Sequence, residues 1–316
     1  MSAARAVGLL LGVMADAMVG ESVRGRADAT IEKVARGVRG RLPSDGQLAG
    51  AVHVGVVTGA AVLAGTALER VARGRPLLSA VTTAAGTWAV LGGARLATDG
   101  TALARQLETG DVNATRQTLA LWDSRRSQDL DTVGLARASV EAVAHNTSHT
   151  VVAPLLWGAL AGMPGLLASR AVGVAGRVAT EGGGRRRFGL PAACLDTAMN
   201  LLPTRVTAAL TVAGAPVVGG SAGGAWRALR RDTVLHPDPN SGRVVAAYAG
   251  ALEIRLGGRT VYPDGVRELP VLGEGRNPDA GHVTRAVELS RVVGWLAGAT
   301  SASVALLSAV RRGRRG

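Results

Sequence analysis

Five stretches of the chain run for about twenty residues each without an Asp, Glu, Lys or Arg: Gly46 to Leu68, Pro76 to Ala94, Thr150 to Ser169, Val206 to Trp226 and Val292 to Val310. At about 1.5 Å rise per residue, each is long enough to cross a hydrocarbon core of about 30 Å as a helix. Arginines stand at the edges of four of them, as Arg75 and Arg95, Arg170, Arg205 and Arg227, and Arg291 and Arg311. Charge is therefore kept out of the spans and placed at their ends. A soluble all-α protein with buried Ala- and Gly-rich helices is the competing reading, and it would have to reproduce this exclusion five times.

The pattern predicts an all-α, multi-pass integral membrane protein with four to six transmembrane or re-entrant helices. Trp226 and Trp295 lie at span ends, where indoles favour the interface. The leading segment Ala6 to Gly20 is interrupted by Asp16 and lacks a small-residue cleavage pattern, so it reads as a short membrane-associated helix. Pro154 and Pro164 divide the third apolar segment, and Pro203 and Pro216 interrupt or bracket the fourth, which predicts broken or re-entrant helices there. Residues 1–316 are expected to form a single membrane domain, with polar regions 95–149 and 227–291 between spans.

The first polar region shows helical periodicity in Leu96, Leu103 and Leu107 and again in Leu135, Val140 and Val143, broken at Gly110 and at Asp123 to Asp131. The second starts helical and then reads as loop through Pro237, Pro239, Gly242, Gly257-Gly258, Pro263, Pro270 and Pro278.

The formal net charge of +13 suggests nucleic acid until it is located. Its surplus sits in short segments beside the spans, densest at 24–41, 170–187 and 311–315, as anionic headgroups and the positive-inside rule require. With one Phe and two Tyr the chain has almost no stacking platform for single strands, so nucleic-acid binding is not expected. A single Cys194 excludes an internal disulfide and a Cys-based metal site. A small transporter is disfavoured because the spans are read as lacking an ionisable residue to couple to an ion.

The polar junctions carry the most specific signal. In order they are Gly8-Leu9-Leu10-Leu11-Gly12, Asn146-Thr147-Ser148 with Val152-Ala153-Pro154-Leu155, Pro164-Gly165, Arg170-Ala171-Val172, Phe188-Gly189, and Leu195-Asp196 with Asn200, Pro203 and Arg205. After these come Arg230-Arg231-Asp232, His236-Pro237-Asp238-Pro239-Asn240-Ser241-Gly242, Ala249-Gly250-Ala251-Leu252 and Arg255-Leu256-Gly257-Gly258. The set resembles the CobD/CbiB family, the adenosylcobinamide-phosphate synthases of cobalamin biosynthesis, over nearly the whole chain.

The resemblance implies an enzyme of the bacterial inner (cytoplasmic) membrane that joins aminopropanol or its phosphate to a propionate of adenosylcobyric acid. The product is an amide, and ATP and magnesium are implied as cofactors with a corrinoid as substrate. Matched residue by residue, it implies catalytic roles for Asn146, Thr147, Ser148, Asp196, Asp232 and His236. It implies substrate binding by Arg170, Asn200, Arg205, Arg230, Arg231, Asn240 and Gly242. Such a reaction needs an activated carboxylate, cations for an anionic amine partner and a base for the ammonium.

Several family carboxylates are missing. The family usually reads Glu-Asn-Thr-Ser-Asp where this chain has His145-Asn146-Thr147-Ser148-His149, and the polar run after Arg-Ala-Val is here Gly173 to Thr180, with Gly176 at an acidic position. A Gly-Arg-Asp element appears as Ser124-Arg125-Arg126 and a Gly-Asp-Pro as Gly20-Glu21-Ser22. Asp16, Glu21 and Glu141 are the metal candidates that remain. The alternative function is a catalytically lapsed homologue that binds a corrinoid or scaffolds a partner enzyme. His145 and His149 have the spacing of a zinc helix but not its glutamate, and are expected as polar junction residues. Glu181 to Arg187 is expected as a basic surface loop and Gly219 to Gly224 as a bend at a span end.

Overall fold

A computed structural model describes residues 2–19, 25–43, 46–123, 125–181, 186–262 and 265–313. Five helical stretches within it are long and apolar enough to cross a membrane: Gln47–Val71, Pro76–Glu108, Thr132–Thr180, Arg187–Val218 and Ala280–Ser308. The protein is thus an all-α, multi-pass membrane protein, with one small two-stranded sheet among the described residues. The fourth span closes at Val218 and not at Trp226, because Gly219 takes a left-handed conformation (φ 67°) and ends the helical run. Ser221 then caps a new helix by accepting from Gly224 N–H at 2.9 Å, so the expected bend is present.

The chain forms two compact units, one of residues Met1–Gly92, His149–Leu201 and Ala297–Gly316, the other of Gly93–Ser148 and Leu202–Leu296. The first unit is built by close helix approach. Helix α1 (Ser2–Met18) packs on α4 (Pro76–Val90), and α3 (Gln47–Val71) packs on α8 (Ala153–Thr180). A methyl group added at Gly8 would lie 2.7 Å from Ala80 O, and one at Gly12 would lie 2.9 Å from Ala84 O. Backbones can therefore meet where no side chain intervenes, the usual basis of helix association in lipid. Gly65 of α3 stands in the same relation to Pro164, at 2.6 Å from its nitrogen.

The break expected in the third span falls at Gly162 (φ 70°, ψ −152°), two residues before Pro164. The backbone group exposed there is recovered from outside the helix, since Met163 N–H donates to Glu69 Oε1 at 3.0 Å while Arg5 holds the same oxygen at 3.1 Å. Helix α2 (Gly25–Arg39) lays Ile31, Ala35 and Val38 against an apolar cluster of α3, α8 and Phe188. The spans are not devoid of ionisable groups as expected: His53 is fully buried in α3, its Nε2 lying 3.3 Å from Ala175 O.

The second unit contains α5 (Gly93–Glu108), α6 (Val112–Ala120), α7 (Thr132–Asn146), α10 (Ala222–Arg231) and α11 (Pro239–Leu252). The periodic residues Leu96, Leu103, Leu107, Leu135, Val140 and Val143 are all buried. From Val244 to Leu252 every residue of α11 is buried, which explains a helix apolar on all sides in a region of polar composition. Its Gly250 meets the backbone of Gly224 on α10 so closely that a side chain there would displace it. The loop expected after Pro237 is replaced by α11, with Pro239 in the first helical turn, and by a hairpin of β1 (Leu256–Tyr262) and β2 (Gly265–Leu272). Pro270 misled because a two-stranded hairpin has edges where a missing N–H is tolerated. Helix α9 (Arg186–Gly214) runs through Pro203, and α12 (Ala280–Gly313) closes the chain.

An arginine at Gly59 separates lipid insertion from packing, because a Cβ placed there meets nothing within 4 Å beyond its own stretch of helix. Gly59→Arg is expected to abolish accumulation in membranes, a central Arg costing about 2.5 to 3.5 kcal/mol on insertion scales. Leu77→Arg, at the 83 % exposed second residue of α4, should accumulate normally because its head can reach the interface. Equal accumulation of the two variants, measured by immunoblot of alkali-washed membranes, would refute the span assignment.

Candidate active site

A cavity of about 540 Å³ opens in the second unit, lined by three polar junctions of the sequence and by the hairpin. Asp131 starts α7 by accepting from Gly134 N–H at 2.7 Å, and the helix then carries Glu141 and His145 one turn apart on the face that lines the cavity. Asn146 completes this side, its Nδ2 donating to Ala142 O at 2.8 Å. Beyond it the backbone widens into a π-helix over Thr147–Val152, a rare form concentrated at functional positions.

The second junction is the turn that opens α11. Asp238 caps the helix, with Oδ1 accepting from Asn240 N–H at 2.9 Å and Oδ2 from the Ser241 hydroxyl at 2.6 Å. His236 Nδ1 sits between the N–H and the carbonyl of Asp238, at 3.1 and 2.8 Å. Gly242 makes this possible, because a side chain there would collide with the His236 ring. Burial works to raise the Asp238 carboxyl, but the Ser241 hydroxyl, the N–H groups of Asn240 and Ser241 and the nearby His145 outweigh it and hold the pKa below the ordinary carboxylate range.

The third junction is carried by Asp123 and Arg125. Arg125 donates to Asp123 Oδ2 at 2.6 Å and to Glu141 Oε2 at 2.5 Å, and Glu141 Oε1 accepts from Gly257 N–H at 2.6 Å. Burial would lower the Arg125 pKa, but the charges of Glu141 and Asp123 outweigh it and raise it. The hairpin is anchored through this triad and through Arg126 N–H to Val261 O at 2.9 Å. It brings Tyr262 and Arg267 to the cavity, the guanidinium 4.6 Å from the ring centre.

The expected site residues fall into several groups. His236 and Asn146 line the cavity, and Asn240, Gly242 and Ser241 shape its α11 edge. Thr147 and Ser148 are fully buried and face packed helices: Thr147 Oγ1 lies 2.8 Å from Ser290 Oγ and accepts from Tyr248 OH at 3.2 Å, and Thr207 donates to Ser148 Oγ at 3.1 Å. Asp232 is buried, accepts from Gly273 N–H at 2.8 Å and pairs with Arg231, which also holds Glu274. Arg230 stacks over Trp226 at 5.7 Å. Arg205 faces Arg243, whose pKa is lowered by burial and by the Arg205 charge.

Asp196, Asn200 and Arg170 belong to the first unit. There Asn200 Nδ2 donates to Asp196 Oδ1 at 3.1 Å, His149 Nε2 lies 3.6 Å from Asp196 Oδ2, and Arg170 holds Asp28 in a two-pronged pair. Asp16 is buried on α1. Glu21, with Gly20 and Ser22, lies outside the described residues, as do 182–185 of the basic loop. Among the described residues no three His, Cys, Asp or Glu side chains converge as a metal-binding set, and Glu141 is committed to Arg125 and Gly257. Sequence reasoning missed the hairpin residues Tyr262 and Arg267. It also passed over His145 as a chemical group, expecting only a polar junction residue there.

Removing one member of a buried charge cluster leaves the others uncompensated. Arg125→Ala is expected to lower stability by about 3 to 5 kcal/mol, read as an earlier thermal unfolding of the detergent-solubilised protein. A change at Arg267, exposed and stacked on Tyr262, should leave unfolding nearly unmoved, and a larger effect there than at Arg125 would contradict the anchoring role of the triad.

Similarity to known proteins identifies the family. The profile of the CobD/Cbib protein family matches residues 9–290. The chain is 45 % identical over 291 residues to the Cobalamin biosynthesis protein CobD of Mycobacterium tuberculosis, covering 92 % of each. To the proteins of the same name from Chromobacterium violaceum and Geobacter metallireducens it is 34 % and 36 % identical, covering 83 % and 71 % of this chain and 81 % and 70 % of theirs. No solved structure matches it. A match of this length, over the same junctions that build the cavity, makes the chain a member of the CobD/CbiB family.

Proposed function

We propose that the protein carries out the amide-forming step of cobalamin biosynthesis in the bacterial cytoplasmic membrane, joining aminopropanol or its phosphate to a propionate of a corrinoid acid. The observation that carries this reading is the convergence of His145 and Asn146, of His236, Asp238 and Ser241, and of Asp123 and Arg125, far apart in sequence, on one cavity. These are family junctions, and the cavity offers both signs of charge to a substrate that is an ammonium at one end and, when phosphorylated, an anion at the other. Asp238 stays ionised at neutral pH and suits the ammonium. Arg267 suits an anion, since a guanidinium can hold a phosphate or carboxylate through two N–H donors.

His236 and Asn146 face substrate in this reading, while Thr147, Ser148, Asp232 and Asn240 act by holding the helices that present them. ATP is a co-substrate that activates the carboxyl group, and magnesium arrives with it. The described carboxylates do not fit a resident metal, so no step is assigned to one. Of the two functional readings, active synthase and lapsed homologue, the first is favoured because the cavity retains groups able to move a proton where the family carboxylate is absent.

Expression in a cobalamin auxotroph lacking its own synthase tests this. Growth on cobyric acid should be restored by the wild-type chain. Growth only with the variant His145→Glu, His149→Asp, Gly176→Asp would instead identify a lapsed enzyme; a Cβ at Gly176 meets nothing beyond its own stretch of helix within 4 Å. Growth on cobinamide but never on cobyric acid would remove the assignment.

A further inference from the structure

His145 stands on the cavity wall in a position that fixes its protonation. Ser241 has one hydroxyl hydrogen, and its 2.6 Å contact to the ionised Asp238 Oδ2 claims it. The same Ser241 oxygen lies 3.4 Å from His145 Nδ1. With its hydrogen spent on Asp238, Ser241 can only accept there, so Nδ1 carries the imidazole hydrogen and Nε2 is the basic nitrogen. Carboxylate, hydroxyl and imidazole form a chain from the α11 cap to the cavity.

We propose that His145 is the proton acceptor of the amide-forming step, with Ser241 and Asp238 as positioning residues that set its tautomer and stabilise its charged form. The proposal rests on the functional reading above. In the step, the primary ammonium of the amine partner loses one proton to His145 Nε2. The nitrogen lone pair forms the C–N bond at the activated carboxyl carbon, and the bond from that carbon to the leaving-group oxygen breaks with its electron pair. The second N–H proton passes to the leaving group or water as the neutral amide forms.

The surroundings single out His145 for this. On its own helix, Glu141 is tied to Arg125, which also ties down Asp123, so neither carboxylate competes as base. From the hairpin, Arg267 is stacked on Tyr262. From the α11 turn, His236 has its Nδ1 held by the backbone of Asp238, whereas Asp238 reaches His145 through a hydroxyl. His145 lies near enough to be among the groups that influence the Asp238 carboxyl. Long contacts of this kind commonly tighten when substrate is bound.

The full-length protein in detergent is assayed with adenosylcobyric acid, aminopropanol phosphate and ATP. His145→Gln is expected to lower kcat by about 10² to 10⁴ with KM little changed, the range of a lost general base. His145→Glu should recover most of that loss and move the acid limb of the pH–rate profile from the range of imidazoles to the lower range of carboxylates. Ser241→Ala should fall between wild type and His145→Gln, and Ser241→Thr should restore it. The ¹⁵N NMR signals of the ring, assigned through the His145→Gln difference, should report the Nδ1–H tautomer, and Ser241→Ala should shift it. An Nε2–H tautomer in the wild type, a kcat that survives His145→Gln, or an acid limb unmoved by His145→Glu overturns the role of His145 alone. A wild type that makes no amide while showing the Nδ1–H tautomer overturns the functional reading, and the catalytic role with it.

Discussion

A bilayer offers the backbone no hydrogen-bonding partner, and the organisation of this protein follows from that constraint. Spans must satisfy their own N–H and C=O groups, so they are helices, and charge must stay at their ends. The ends are then the only places where polar chemistry can gather. The cavity of the second unit fits this logic, being built from the last turn of α7, the cap of α11 and the segment before α7.

Where a span departs from regular helix, protein atoms take over the missing bonds. At Gly162 the broken helix recovers a donor partner in Glu69, itself charge-matched by Arg5. At Thr147–Val152 the π-helix places Thr147 and Ser148 among the hydroxyls of Ser290, Tyr248 and Thr207. Hydroxyls suit such places because each can donate and accept at little desolvation cost. The Asn-Thr-Ser run thus divides its labour: Asn146 faces the cavity, and its two neighbours lock the helix that holds it.

A histidine at position 145, where the resemblance implies a carboxylate, is compatible with the proposed chemistry. A lone imidazole would be a neutral substitute for an anion. Backed by Asp238 through Ser241, it becomes a group that can accept a proton while the nearby anion offsets the charge it gains. The negative charge lies at the cap of α11, where backbone N–H groups also support it.

The spans, the break before Pro164, the helices of the first polar region and the family were legible in the sequence, because charge exclusion, proline position and hydrophobic period are local signals. The end of the fourth span, the hairpin and the buried α11 were not. Pro239 and Pro270 read as breakers along the chain, and only packing shows that one starts a helix and the other lies in a two-stranded ribbon. The same holds at the site. The sequence could name His236 and Asn146, but His145 and Ser241, 96 residues apart, meet only because α7 and α11 pack side by side. Which carboxylates are engaged by Arg125, and which one supports an imidazole, was decided by tertiary contact alone, since hydrogen bonds depend on distance in space and not on separation along the chain.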